Sequence, residues 1–156
     1  MKNLATELNA PALDAIVDGL TQAVAETCVT TMKAQNYHWN VTGMAFGSLH
    51  DLFQKIYEDH FEAQDDLSER VKALDGHAEG RLSVLLDRSK VEECDGHVSA
   101  EQMIANMAED QLTLAGTLAA LADAAQENGD LLTEDLAIAR GQVHEKFAWM
   151  LKSHLK

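Results

Sequence analysis

The stretch HWNVTGMAFGSLHDLFQKIYEDHFEAQDDLSER, residues 38–70, decides the fold and locates the chemistry. It opens at the end of one helical pattern, breaks at Gly43 and Gly47, and resumes with an apolar stripe of Leu49, Leu52, Phe53, Ile56, Tyr57 and Phe61. That spacing has the period of an α-helix. His38, His50, Asp65 and Glu69 are metal-ligand types carried on these two segments. Asp65 and Glu69 stand at i and i+4 and share a helix face. Asp65, however, follows His50 by fifteen residues. On one helix that is roughly 22 Å along the axis, beyond the reach of two converging side chains. If the histidines and carboxylates bind one ion, they come from different copies of the chain.

Working outward, the first helix is expected over 10–39, where Pro11 suits a first turn and Leu13, Ile16, Val17, Leu20 and Val24 recur at helical spacing. The second is expected over 46–74 and ends at Gly76. Residues 76–98 make a long connection whose apolar run at 82–86 suits a short extra helix. A third helix opens at Ser99-Ala100-Glu101-Gln102, a capping box in which serine and glutamine satisfy free N–H groups reciprocally. It carries Met103 and Met107 as core filler, then Leu114, Leu118 and Leu121, and runs to Asn128-Gly129. A fourth starts near 130–133 and bears Leu136, Val143, Phe147 and Leu151. Two long helices, a long connection and two more helices predict a single all-α domain over 1–156. Its topology is the ferritin-like four-helix bundle, with a short extra helix between the second and third.

Composition agrees. There is one proline and there are four phenylalanines, and apolar residues make up 46% of the chain, which favours a globular helical protein. The net charge of −14, from 26 acidic and 12 basic residues, favours cations and opposes binding to phosphates. Cys28 and Cys94 form no ligand pair by spacing and read as reduced thiols of a cytoplasmic protein. Residues 1–7 show no apolar run of signal-peptide type, and no stretch approaches membrane-spanning length.

Ferritin-like di-iron proteins place Glu-x-x-His pairs in the bundle core. None of the seven histidines has a glutamate three residues before it: those positions hold Gln35, Gly47, Tyr57, Leu74, Cys94, Gly141 and Leu151. A metal, if bound, lies elsewhere than the bundle interior. His60, His77, His97, His144 and His154 fit no ligand pattern and read as surface or structural residues.

The pattern His38-Trp39-Asn40-Val41-x-Gly43-x-x-Phe46-x-x-Leu49-His50, followed by Asp65-x-x-x-Glu69-Arg70, resembles the signature of the Dps family, the DNA-binding proteins from starved cells. The resemblance covers the whole chain, including the closing Lys146-Phe147-Ala148-Trp149. It implies a hollow dodecamer whose ferroxidase centre lies between two-fold related subunits, with His38 and His50 of one copy facing Asp65 and Glu69 of the next. The metal implied is iron: Fe2+ is bound, oxidised by hydrogen peroxide in preference to dioxygen, and stored as ferric mineral, which protects the cell from oxidative damage. Imidazole and carboxylate ligands with open positions suit ferrous iron.

Gln54 departs from the family, which commonly has an aspartate there, and puts the second iron position in question. Trp39, beside a ligand, is assigned either to packing or to interception of oxidising radicals. Asp130, Glu134 and Asp135 suit a helix N-terminus or the lining of an acidic pore through which iron enters. The rival expectation is a nucleoid-associated protein that condenses DNA. It is opposed by the acidic charge and by termini offering only Lys2, Lys152 and Lys156.

Overall fold

The computed structural model describes residues 7–156. Helix α1 (Ala10–Asn40) begins under Asn9, whose side-chain oxygen accepts the Ala12 N–H at 3.0 Å, with Pro11 in the first turn. Gly43, at φ 104°, turns the chain into α2 (Phe46–Ala73). The short extra helix is α3 (Leu82–Arg88), followed by α4 (Ala100–Glu127) and α5 (Leu131–Lys152). A single 3-10 turn, Ser153–Leu155, closes the chain. The helices pair as two hairpins, α1 with α2 and α4 with α5, and α1 joins them by packing on α4. This is the expected ferritin-like bundle.

One detail differs from expectation. Ser99 caps α4 by accepting the Gln102 N–H at 3.1 Å, but the Gln102 side chain donates to Asn106 at 2.7 Å. The capping box is thus half made, because a neighbour one turn on offers the amide an acceptor.

The long connection is a strap along α1. Gln22 donates to the Arg88 carbonyl at 3.1 Å, Lys33 to the Glu92 carbonyl at 2.9 Å, and Asn36 to the Cys94 carbonyl at 2.8 Å. Arg88 also pairs with Asp18. Lys33 is itself buried and pairs with Asp110 of α4 at 2.7 Å. Burial pushes the Asp110 carboxyl up, against the opposing pull of Lys33.

The interior is layered. One apolar cluster joins Ile16, Leu20, Val24, Leu67, Val71, Leu74, Leu118 and Leu121. A second joins Tyr37, Leu49, Phe53, Ile56, Met103, Met107 and Leu151. Between them lies a buried polar belt that includes Thr27, Thr30, Thr31, His60, Gln111 and His144. The threonines satisfy themselves by donating to carbonyls one turn back, at 2.6–2.7 Å.

The histidines are joined in a closed circuit. His60 Nδ1 donates to Asp59 Oδ2 at 3.0 Å, and Gln111 Nε2 donates to His60 Nε2 at 3.0 Å. His144 Nδ1 donates to Gln111 Oε1 at 2.7 Å, and Arg140 Nη2 approaches His144 Nε2 at 3.4 Å. Arg140 then returns to Asp59 through two bonds of 3.1 and 2.7 Å. With this directionality both imidazoles are neutral and carry hydrogen on Nδ1. Sequence reading left these two histidines as surface or structural; they are structural, and fully enclosed.

Burial drives the pKa of His60 below the ordinary histidine range, although Asp59 pulls the other way. Burial also drives His144 down to about 2, reinforced by His60 and Arg140. Burial would raise the Asp59 carboxyl, but its hydrogen bonds to His60 and Arg140 outweigh that and hold it below the usual carboxylate range. For each histidine the neutral form is the folded one. Its contribution is therefore complete above the unfolded pKa of about 6.5 and declines as pH falls below it. Between pH 7 and pH 5 the unfolding free energy should drop by on the order of 2 kcal/mol on account of His144, with a further loss in the same direction from His60. His144→Gln can still donate to Gln111 and does not titrate, so it should make that slope shallower. Denaturant melts at matched protein concentration across this pH range check it, and equal slopes for both proteins would refute it.

Candidate metal centre

The end of α1 and the first turns of α2 bring His38 and His50 together. Their rings stack at 3.6 Å between centroids, 18° from parallel. Each ring bonds the backbone of the other: His38 Nδ1 to the His50 carbonyl, and His50 Nδ1 to the His38 carbonyl, both at 2.8 Å. A carbonyl only accepts, so each Nδ1 carries the hydrogen and each Nε2 keeps a lone pair. A metal-binding histidine has the same arrangement, its second nitrogen anchored to a backbone oxygen so that the first is aimed and basic.

Two aromatic walls flank the pair. Phe46 lies 5.1 Å from His50, and Tyr57 stands edge-on to His38 at 5.3 Å. His38 is buried and His50 half-buried, so the free nitrogens sit at the rim of the subunit. Trp39 is 61% exposed and packs no core.

Asp65 and Glu69 are exposed on α2, which runs without interruption from Phe46 to Ala73. The separation of roughly 22 Å from His50 therefore stands. Among the described residues no three histidine, cysteine or acidic side chains gather closely enough to hold a metal. One subunit thus presents His38 and His50 at one end of α2 and Asp65 and Glu69 toward the other.

The three acidic residues at the start of α5 divide. Asp130 is fully buried; it accepts the Thr133 N–H at 3.1 Å and the Thr133 hydroxyl at 2.5 Å, and it pairs with Arg70 at 2.7 Å. Of the two roles open to it, Asp130 takes the helix N-terminus, its oxygens committed to that cap and ion pair. Glu134 is half-buried and accepts from Gln126 at 3.1 Å, while Asp135 is exposed. Cys28 and Cys94 carry free thiols, and burial pushes the Cys28 thiol up.

Sequence reading treated Tyr57 as packing and passed over Glu58. Gln54, one turn beyond His50, is half-buried and donates its amide N–H to Glu58 at 2.7 Å. The signal that would have found both residues is their spacing of seven and eight from His50, which keeps them near the same side of α2.

Comparison with known proteins identifies the family. Residues 17–156 match the family described as the ferritin-like domain. General stress protein 20U of Bacillus subtilis is 36% identical over 140 residues, which cover 90% of this chain and 97% of that protein. The crystal structure of a Dps protein from Bacillus brevis matches with a TM-score of 0.92 at 31% identity, covering 96% of this chain and 100% of that one. The Dps protein of Vibrio cholerae O1, described as a member of a broad superfamily of ferritin-like diiron-carboxylate proteins, matches with a TM-score of 0.90 at 26% identity, covering 96% and 94%. Matched in fold along nearly its whole length, this chain belongs to the Dps proteins of the ferritin-like family.

Proposed function

We propose that the protein is a mini-ferritin that binds and oxidises ferrous iron at a site shared between two subunits and stores the ferric product. The observation that carries this reading is the reciprocal anchoring of His38 and His50, which leaves two nitrogen lone pairs free, with no carboxylate among the described residues gathered beside them to complete a metal sphere. Asp65 and Glu69 of a second copy supply the oxygens. Neutral nitrogen with anionic oxygen, and positions left open for oxidant, suits ferrous iron as substrate. With peroxide as oxidant, two ferrous ions give one electron each, the O–O bond breaks, and two hydroxide ions form in place of a hydroxyl radical. Protection of DNA then follows from removing iron and peroxide, and the acidic shell has no need to touch phosphate.

Two-fold symmetry places the partner. An axis that brings His50 of one copy to Asp65 and Glu69 of the other crosses α2 midway between them, at about residues 57–60. Phe61 stands beside that crossing and is 71% exposed, costly for a large apolar ring unless something covers it. Met32, Trp39, Leu82 and Leu86 extend the same apolar groove along α1 and α3. The protein is proposed to assemble through this groove into the cytoplasmic dodecamer of the Dps type.

His50→Ala should abolish rapid ferrous oxidation and leave helix content and assembly intact, and Asp65→Asn with Glu69→Gln should do the same. Co-assembly of the two mutants should restore about a quarter of the wild-type rate. Random pairing makes half the interfaces mixed, and each mixed interface regenerates one of its two sites. Stopped-flow oxidation after co-refolding reads this out, and no recovery whatever would end the shared-site model.

Phe61→Asp should cost about 3 kcal/mol per copy at the interface and yield dissociated, still helical and inactive subunits. Light scattering with circular dichroism checks it; an intact and active oligomer would remove Phe61 from the axis.

A further inference from the structure

His50, Gln54 and Glu58 follow one another at single-turn intervals along α2, so Gln54 stands between His50 and Glu58 along one side of the helix. Toward a cation an amide has two opposite faces, since its oxygen is a ligand and its NH2 group is repelled. Rotation of about 180° around the last side-chain bond exchanges them. In this protein the choice is made by Glu58. A carboxylate only accepts, so the Gln54 atom 2.7 Å from Glu58 Oε1 is the nitrogen Nε2. The Gln54 oxygen makes no hydrogen bond among the described residues. A hydrogen bond from an amide N–H to an anion also shifts electron density toward the amide oxygen and makes it a better donor to a cation.

Gln54 stands where the Dps family commonly has an aspartate, and we infer that Glu58 is its positioning residue, holding the amide with oxygen toward the ion and NH2 away. The inference rests on the shared-site reading, in which that amide oxygen serves the His50 side. Glu58 acts through Gln54, by fixing which end of the amide is presented.

Cobalt(II), which peroxide need not accompany, is a suitable probe of binding alone. Calorimetric titration and visible absorption of assembled protein would compare wild type with Glu58→Ala, Glu58→Gln, Gln54→Glu and the double variant Gln54→Glu with Glu58→Ala. Glu58→Ala should weaken cobalt binding about tenfold, as loss of a group that orients a ligand does. Glu58→Gln still offers an oxygen to Gln54 Nε2 and should stay within about twofold of wild type. In the Gln54→Glu background the carboxylate has two equivalent oxygens and no wrong face, so adding Glu58→Ala should cost less than about twofold.

The inference is overturned if Glu58→Ala costs nothing in the wild-type background, or costs the same in both backgrounds. It is equally overturned if Glu58→Gln loses as much as Glu58→Ala, since Glu58 then acts by its own charge. His50→Ala tests the reading beneath. If it leaves cobalt binding untouched, the shared site itself fails, whereas its loss alongside an inert Glu58→Ala removes the positioning role alone. Light scattering on each variant ensures that only assembled protein is compared.

Discussion

A rigid rod governs this protein. Helix α2 runs unbroken from Phe46 to Ala73, with His50 near its start and Asp65 and Glu69 in its second half. No side-chain rearrangement closes a gap of roughly 22 Å along a helix axis. In the proposed assembly, reversing the rod against a second copy closes it, because antiparallel α2 helices would bring each end to the other's complement. On that proposal symmetry is part of the coordination chemistry. The exposed Phe61 near the expected crossing, and the apolar groove beside it, are what a subunit looks like when its surface awaits the same surface again.

The interior bears on why the proposed metal centre lies outside the bundle. A four-helix bundle of this topology offers its polar middle layer to carboxylate and histidine ligands. Here that layer is occupied by Asp59, His60, Gln111, Arg140 and His144, whose hydrogen bonds form a closed circuit. The Arg140–Asp59 ion pair balances its own charge, and both imidazoles spend their lone pairs on protein donors. A cation entering this layer would have to break bonds that nothing would replace and face a guanidinium already in place. Such a network holds three helices in register through direction as well as through shape, which apolar packing alone does less sharply.

Much of this was legible in the sequence, and the reasons are local. The helices are read from a period of about 3.6 in Leu, Ile, Val and Phe, and the shared face of Asp65 and Glu69 from their spacing of one turn. The histidine circuit was not legible, since His60, Gln111 and His144 are joined across gaps of 51 and 33 residues and none is preceded by a glutamate at ligand spacing. Asp130 shows a second limit. An acidic residue at a helix start has the same sequence signature whether it lines a surface or caps a buried end, and only Arg70, 60 residues away, decides for the buried cap. Gln102 shows a third: the capping-box pattern is present, but Asn106 competes for the same amide. The pairing of His38 with His50 was foreseen as a motif, but its reciprocal bonding through Nδ1 is a product of how the turn at Gly43 sets α1 against α2.

A site split across an interface, as proposed for this protein, would tie iron to assembly by mass action. Ligand that binds the paired state and not the separate subunit stabilises the pair by RT ln(1 + [L]/Kd), about 2.7 kcal/mol at a hundredfold excess over Kd. Each pairwise interface carries two such sites, so the effect is felt twice. In the proposed site a lone subunit keeps two nitrogens without their carboxylates, and such a half-site would bind ferrous iron weakly and leave it open to solvent. On that proposal oxidation is confined to the assembled form. A site split in this way would make catalysis depend on assembly, and the same dependence would make the substrate favour assembly.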